Sequence, residues 1–312
     1  MSDGSPERFL YVAGTSFTGS TLLSFLLNLH PEIVCVGECD PNFSNWPDPN
    51  QYPCSCGATL AECPFWTAVG DEMSDRGMRF DAEHWRTSFR PSSRIGRRLL
   101  AGDRPDAVRA ALGAHVPVIG SRVRSTARRN EALVASVRSV AAKPVFADAS
   151  KDVSRARLLD HMTDLRPYVI HLVRDSLGFA ASKKSRAEKN SRAARGAAIG
   201  NAARHWNRRG TQAEQLFEAL PPERRLRVRY EDLCTDPERE FGRICEMLGL
   251  QRLPGPYEFL AGEHHIIGNR MRLSSSSEIV LDERWRSILT EDEAETVRRV
   301  TSRHRQAFGY GA

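Results

Sequence analysis

The sequence predicts an α/β fold, a three-layer arrangement in which a parallel sheet is flanked by helices, in a single domain over residues 1–312 with a helical insertion at 67–115. Three observations predict it. Short apolar runs alternate with helical patterns along the chain, as they do where strands are joined by crossover helices. The first run, Phe9 to Ala13, ends at Gly14 and passes through Thr15-Ser16-Phe17-Thr18 to Gly19-Ser20-Thr21. That is a Gly-x-x-x-x-Gly loop between strand and helix, the P-loop-like arrangement that cradles phosphates. A later run, Tyr168 to Val173, leads straight into Arg174, and such sheets bind ligands at the C-terminal ends of their strands. No internal repeat and no linker divides the chain.

Composition agrees with that class. A chain of 312 residues buries one large core or two smaller ones. No apolar run approaches the ~20 residues of a membrane span, and the start, Met1 to Arg8, lacks the apolar segment of an export signal. A net charge of +6 suits an anionic ligand. Seven cysteines, an odd number, argue against a disulfide framework. A reducing, cytoplasmic location is therefore expected.

The elements follow in order. Ser20 to Leu29 is a helix stopped by His30-Pro31, and Ile33 to Val36 is a short β-branched strand ending at Gly37-Glu38. Asp40 to Pro53, rich in Pro, Asn and Asp, is a loop. From Thr67 to Ala114 the pattern is helical and Arg-rich, broken at Pro91, Gly102 and Pro105, and reads as an inserted cap. Val116 to Ile119 reads as a strand, Asn130 to Ala142 as a helix, and Pro144 to Ala147 as a strand ending at Asp148. Lys151 to Leu165 is a helix, Tyr168 to Val173 a strand, and Ser176 to Arg186 and Ala197 to Ala219 are helices. Leu226 to Tyr230 is a strand, Asp236 to Leu248 a helix closed by Gly249, and Glu291 to Gln306 a final helix after a loop-rich stretch.

Two stretches carry anion chemistry. In the first, Gly14 permits a tight turn and Gly19 lets backbone approach a ligand, while loop N–H groups and the helix dipole face an anion. Ser20 stands where a nucleotide triphosphatase has Lys. In the second, Ser182 and Arg186 follow Arg174 at i, i+4 spacing on one helix face. Two guanidinium groups and a hydroxyl make a claw for a phosphate monoester. An equally open reading pairs Arg174 with Asp175 or another carboxylate at the sheet's end.

Taken together, these stretches resemble the sulfotransferases that use 3′-phosphoadenosine 5′-phosphosulfate (PAPS). Ser16 to Leu23 is similar to that family's 5′-phosphosulfate loop, and Val169 to Arg186 to its 3′-phosphate element, with Arg174, Ser182 and Arg186 at the matching positions. Asp148-Ala-Ser-Lys151, Val228-Arg-Tyr230-Glu-Asp-Leu and the closing segment His264 to Arg272 with Asp282-Glu-Arg284-Trp285 resemble further family motifs in the same order. The resemblance implies PAPS as sulfonate donor, held by Ser16, Phe17, Thr18, Gly19, Ser20, Thr21, Arg174, Ser182, Arg186, Tyr230 and Arg284. It implies no metal requirement. The acceptor it implies offers a hydroxyl or an amine on a small molecule, glycan or lipid. Oligomeric state is not legible.

The loop departs from the family at Phe17, where many members carry a cation that steadies the bridging oxygen. Lys151, Arg122 and Arg284 are the candidate substitutes, and Lys151 is counted with Glu38 as catalytic. Glu38, after the second strand in Gly37-Glu38, is the candidate base, with His265 and His84 behind it. Two other readings remain open: a PAPS-binding protein with weak or no activity, and a P-loop kinase or NTPase with an atypical loop.

Cys54-Ser-Cys56…Cys63-Pro-Phe-Trp66, with Cys39 as a fourth thiol upstream, suits a metal, a redox pair or packed thiols. Its Cys-x-Cys-x6-Cys spacing is not the paired Cys-x2-Cys of common zinc sites. The basic stretch from Lys183 to Arg209, including Lys189 and Arg192, holds only Trp206 as an interleaved aromatic. It reads as a solvated helix face, not a nucleic-acid surface.

Overall fold

The structure, a computed structural model, describes residues 7–43, 46–89, 117–188, 195–273 and 277–311. Its strands are β1 (Arg8–Gly14), β2 (Ile33–Cys35), β3 (Val145–Lys151), β4 (Tyr168–Val173) and β5 (Arg225–Arg229). They form one sheet in the order β2-β3-β1-β4-β5 with every neighbouring pair parallel. The helices are α1 (Ser20–Leu29), α2 (Pro64–Asp75), α3 (Pro117–Ala141), α4 (Val153–Met162), α5 (Ser176–Glu188), α6 (Arg195–Ala219), α7 (Tyr230–Thr235), α8 (Pro237–Leu248), α9 (Trp285–Ile288) and α10 (Glu291–Ala307).

β1 runs through the middle, and its alternating side chains make the layers. Leu10 and Val12 pack with α1 and α8 on one face, while Phe9, Tyr11 and Ala13 pack with α2, α3, α4 and α6 on the other. A strand apolar on both faces is what a sheet covered on both sides requires. Gly14 closes the strand for a steric reason: a Cβ there would lie 2.4 Å from the Leu172 carbonyl oxygen of β4. No helix among the described residues is long and apolar enough to cross a membrane.

Most boundaries agree with the sequence, and three differ. Of the strand expected at Val116–Ile119, Pro117 to Ile119 lie in the helix α3 instead, and Val116 lies outside the described residues. Lys151 ends β3 and does not open a helix: Asp152 caps α4 by accepting from the Ser154 N–H at 2.9 Å. Tyr230 likewise begins α7 after β5 has ended. Of the insertion expected at 67–115, α2 and the turns to Phe89 are described, and the rest lies outside the described residues, as do Lys189, Arg192 and Ser274 to Ser276.

Candidate functional site

Each strand delivers one feature to the same rim of the sheet. In spatial order these are Glu38 beyond β2, Lys151 at the end of β3, the Thr15–Gly19 loop after β1, Arg174 after β4 and Tyr230 after β5. The register makes the central two neighbours: Gly14 pairs with Leu172, so the loop and Arg174 leave from adjacent strand ends. The strand order runs to opposite sides of β1, with β3 and β2 on one side and β4 and β5 on the other, and such switch points are where open α/β sheets hold ligands.

The loop is held in a fixed form. Thr18 is buried and donates its hydroxyl to the Thr15 carbonyl at 2.9 Å, so its side chain braces the loop. Phe17 (φ 67°) and Gly19 (φ 81°) are both left-handed, and Gly19 precedes the first turn of α1. A Cβ on Gly19 would meet Tyr230 Cδ2 at 2.4 Å, so the tyrosine ring lies directly on the loop backbone. Ser16 is exposed.

Arg174 is buried behind the loop. It donates from Nη1 to the Phe17 carbonyl at 3.1 Å and from Nη2 to the Asp282 carbonyl at 2.8 Å, with the Asp282 carboxylate 3.1 Å away. Its guanidinium stacks 4.7 Å from the Tyr230 ring centroid. Gly178, one turn into α5, makes room for it, because a Cβ there would lie 2.6 Å from Arg174 Nε. Asp175 instead accepts from Arg305. Ser182 donates to the Gly178 carbonyl at 2.9 Å.

The segment Ser277–Arg284 crosses above these groups. The Tyr230 hydroxyl accepts from the Asp282 N–H at 3.1 Å and donates to the Val280 carbonyl at 3.4 Å; burial pushes its phenol up to about 12. Arg284 holds Asp282 with two bonds of 2.8 and 2.9 Å. Those bonds, with the Arg174 charge behind them, keep the Asp282 carboxyl well below the usual range.

Between loop and segment lies a cavity of about 540 Å³. Phe17, Gly19, Ser20, Thr21, Arg174, Ser182, Tyr230 and Arg284 line it, joined by Phe25, Phe259 and Asn269. A second space of about 280 Å³ shares Phe17, Arg174 and Ser182 and adds Arg186 and Trp285. Two distant stretches of sequence thus meet in one cleft, with backbone donors at one end and guanidinium groups at the other.

Glu38 and Lys151 meet as an ion pair, Oε1 to Nζ, at 2.6 Å. Asp148 shapes the turn that presents the lysine: its carboxylate accepts from Ser150 N–H at 2.8 Å and from the buried Arg155 at 3.1 Å. Gly268 abuts Glu38, where a Cβ would lie 2.8 Å from Oε1, and its neighbour Asn269 lines the cleft. The other candidates fare differently. His84 bonds Asp81 at 2.7 Å, and His265 lies on Cys63, Nδ1 to Sγ 3.3 Å; neither lines the two spaces described above. Arg122 is on an exposed face of α3 and lines neither space.

The cation that does reach Phe17 is Lys183 of α5, whose Nζ lies 5.7 Å from the ring centroid. Burial, with Arg186 and Arg209 nearby, lowers its pKa. Sequence reasoning saw Lys183 only as part of a basic run, and gave Asp282 no role. Both depend on the path of a later segment, though Gly178 four residues after Arg174 was a usable sign that something bulky folds over that turn.

A family model described as "Sulfotransferase family" matches residues 10–254. No curated protein matches the chain. Among solved structures, the sulfotransferase domain of the Synechococcus PCC 7002 olefin synthase is similar with a TM-score of 0.55 at 18% identity, covering 99% of this chain and 98% of that one. The sulfotransferase domain from the curacin biosynthetic pathway gives 0.54 at 15% identity, with 98% of each chain covered. Sulfotransferase STF9 from Mycobacterium avium gives 0.50 at 17% identity, covering 99% of this chain and 79% of that one. At such identities the structural likeness is one of fold.

Proposed function

The chain belongs to the sulfotransferase family, and from that premise we propose that it moves a sulfonate group from PAPS to a hydroxyl oxygen, or an amine, of a small-molecule, glycan or lipid acceptor. The observation that carries this reading is the convergence of Gly19 to Thr21, Arg174, Ser182 and Tyr230 on one cavity of about 540 Å³. A ligand anionic at both ends fits a cleft with donors at both ends. Gly19 lets the Tyr230 ring lie against the loop backbone, since no side chain fits there, which sets the ring beside the loop's N–H groups.

The donor supplies an electrophilic sulfur and a phosphate leaving group. The chain's residues do the rest. N–H groups of Gly19, Ser20 and Thr21, at the positive end of α1, bind the 5′ end and take up charge that builds on the leaving oxygen. Arg174 and Ser182, with Arg186 at the mouth, bind the 3′-phosphate. Leu22, Phe25 and Phe259 offer an apolar wall for a purine. Glu38 accepts the acceptor's proton, and the ion pair with Lys151 orients that carboxylate.

Phe17 favours one second reading, a nucleotide-binding protein with weak transfer, because the loop's own cation is missing. Lys183 over the Phe17 ring speaks against it.

Calorimetric titration with 3′-phosphoadenosine 5′-phosphate, without added magnesium, beside ATP with magnesium, tests the proposal. Micromolar or tighter binding of the former, weakened at least tenfold in Arg174→Ala, is the expected result. Binding of ATP with magnesium alone overturns it in favour of a kinase or NTPase.

A further inference from the structure

Outside the cleft, the run from Cys54 to Cys63 folds against the closing segment and gathers four soft donors. We propose that Cys54, Cys56, Cys63 and His265 together bind one zinc ion as a closed structural site. Their donor atoms all lie within 4.8 Å of one another. Cys63 Sγ is 3.6 Å from Cys56 Sγ and 3.8 Å from Cys54 Sγ. His265 Nδ1 is 3.3 Å from Cys63 Sγ and 4.0 Å from Cys54 Sγ. Tetrahedral zinc, with bonds of about 2.3 Å to sulfur and about 2.0 Å to nitrogen, separates its ligands by roughly 3.5–3.8 Å. The four separations given, 3.3 to 4.0 Å, bracket those edges, and the other two are no longer than 4.8 Å.

Cys39, the fourth thiol that the sequence offered, is elsewhere. Its backbone N–H donates to Asp148, and the fourth corner goes to a histidine about two hundred residues away in the chain. That is why the spacing of the cysteines alone was uninformative. Nor is the cluster a disulfide: all its thiols are free, at separations far beyond the ~2.05 Å of a sulfur–sulfur bond.

The surroundings set each ligand in place. Gly57 (φ 91°) turns the chain so that its N–H reaches the Cys54 carbonyl at 3.1 Å, a knuckle that brings Cys54 and Cys56 together. Ser55 between them is bound three times to the other segment: its N–H donates to Ile266 (3.1 Å), its hydroxyl donates to His264 (2.6 Å) and accepts from Ile266 N–H (2.8 Å). Cys63 immediately precedes α2, and Phe65 stacks flat on the His265 ring at 4.6 Å and 3°. Three thiols and an imidazole select zinc over magnesium or calcium. Four protein ligands leave no open position, so the role is structural. Binding would displace the thiol protons and leave three thiolates around a doubly charged ion.

The site would fasten the loop before α2 to the segment that continues as Ile267, bridged to Gly37, and Gly268, against Glu38. It holds whatever the sulfonate donor is, because none of its ligands lines the cleft's two spaces.

The test is metal analysis of the full-length protein, purified under reducing conditions and supplied with zinc, then exchanged into cobalt(II). Expected are one zinc per chain and the intense visible absorption, with thiolate charge transfer, of four-coordinate cobalt. Cys56→Ser, at the half-buried corner, and His265→Asn should each weaken zinc binding at least a hundredfold, while Cys39→Ser keeps it. A folded wild-type protein that takes up no stoichiometric zinc, a Cys56–Cys63 disulfide in the reduced preparation, or octahedral cobalt would each overturn the site.

Discussion

The Asp282 carboxylate lies 3.1 Å from Arg174 Nη2, so the guanidinium assigned to a ligand phosphate already holds an anion. Arg284 grips the same carboxylate from the solvent side. Asp282 and a phosphate therefore compete for one partner. Asp282→Asn keeps the backbone bonds to Arg174 and Tyr230 and removes the charge. It is expected to tighten binding of 3′-phosphoadenosine 5′-phosphate by about tenfold, roughly 1.4 kcal/mol, as read by calorimetry. Weaker binding would mean that the segment closes over the ligand and does not compete with it.

Lys183 is the cation proposed to stand in for one on the loop. Its ammonium rests on the Phe17 ring, a contact worth about 0.5–2 kcal/mol, and α5 fixes its approach. Lys183→Ala should slow donor turnover about tenfold or more, and Phe17→Arg in that background should restore part of the loss. The measurement is initial rate at saturating donor. No recovery in the double variant would assign the cation elsewhere.

Glu38 and Lys151 are proposed to serve the chemistry rather than donor binding. Because the pair stands at the ends of β2 and β3 and the phosphate contacts at β1 and β4, Glu38→Gln should lower kcat by about a hundredfold or more. Affinity for the bisphosphate should change less than about twofold. A parallel fall in affinity and in thermal stability would make the pair a strut of the rim instead.

His171 predicts an acid-sensitive fold. Burial on β4, with the Arg227 charge beside it, pulls its pKa down to about 3, and Arg227 Nε donates to its Nδ1 at 3.4 Å. The unfolded chain binds this proton near pH 6.5 and the folded chain does not. The stabilisation is therefore present above about pH 6.5 and is lost as pH falls toward the folded value. Urea midpoints should drop between about pH 7 and pH 5, by on the order of 1–2 kcal/mol from this residue. His171→Asn, although less stable throughout, should show a shallower slope over that interval.

The sequence by itself determined the scaffold and picked out the two stretches that meet in the cleft. Strand and helix periods, the glycines at 14 and 19, and Arg174 at a strand's end are local signals, set by sterics and hydrogen bonding within a few residues. They were enough for the sheet, the loop and the basic claw. Local signals also misled where two conformations compete: Val118 and Ile119, β-branched residues that read as a strand, lie in a helix.

Only the tertiary structure decided who meets whom across the chain. It turned the Thr18 hydroxyl inward, set Lys183 over Phe17, paired Glu38 with Lys151 across 113 positions, and put Asp282 on Arg174 across 108. It also moved His265 from the candidate bases to the corner of a thiol cluster. The physical reason is common to all of them. A side chain's partner is chosen by sheet order and by the path of the closing segment, and both are settled by burial of the whole core, not by residues nearby in sequence.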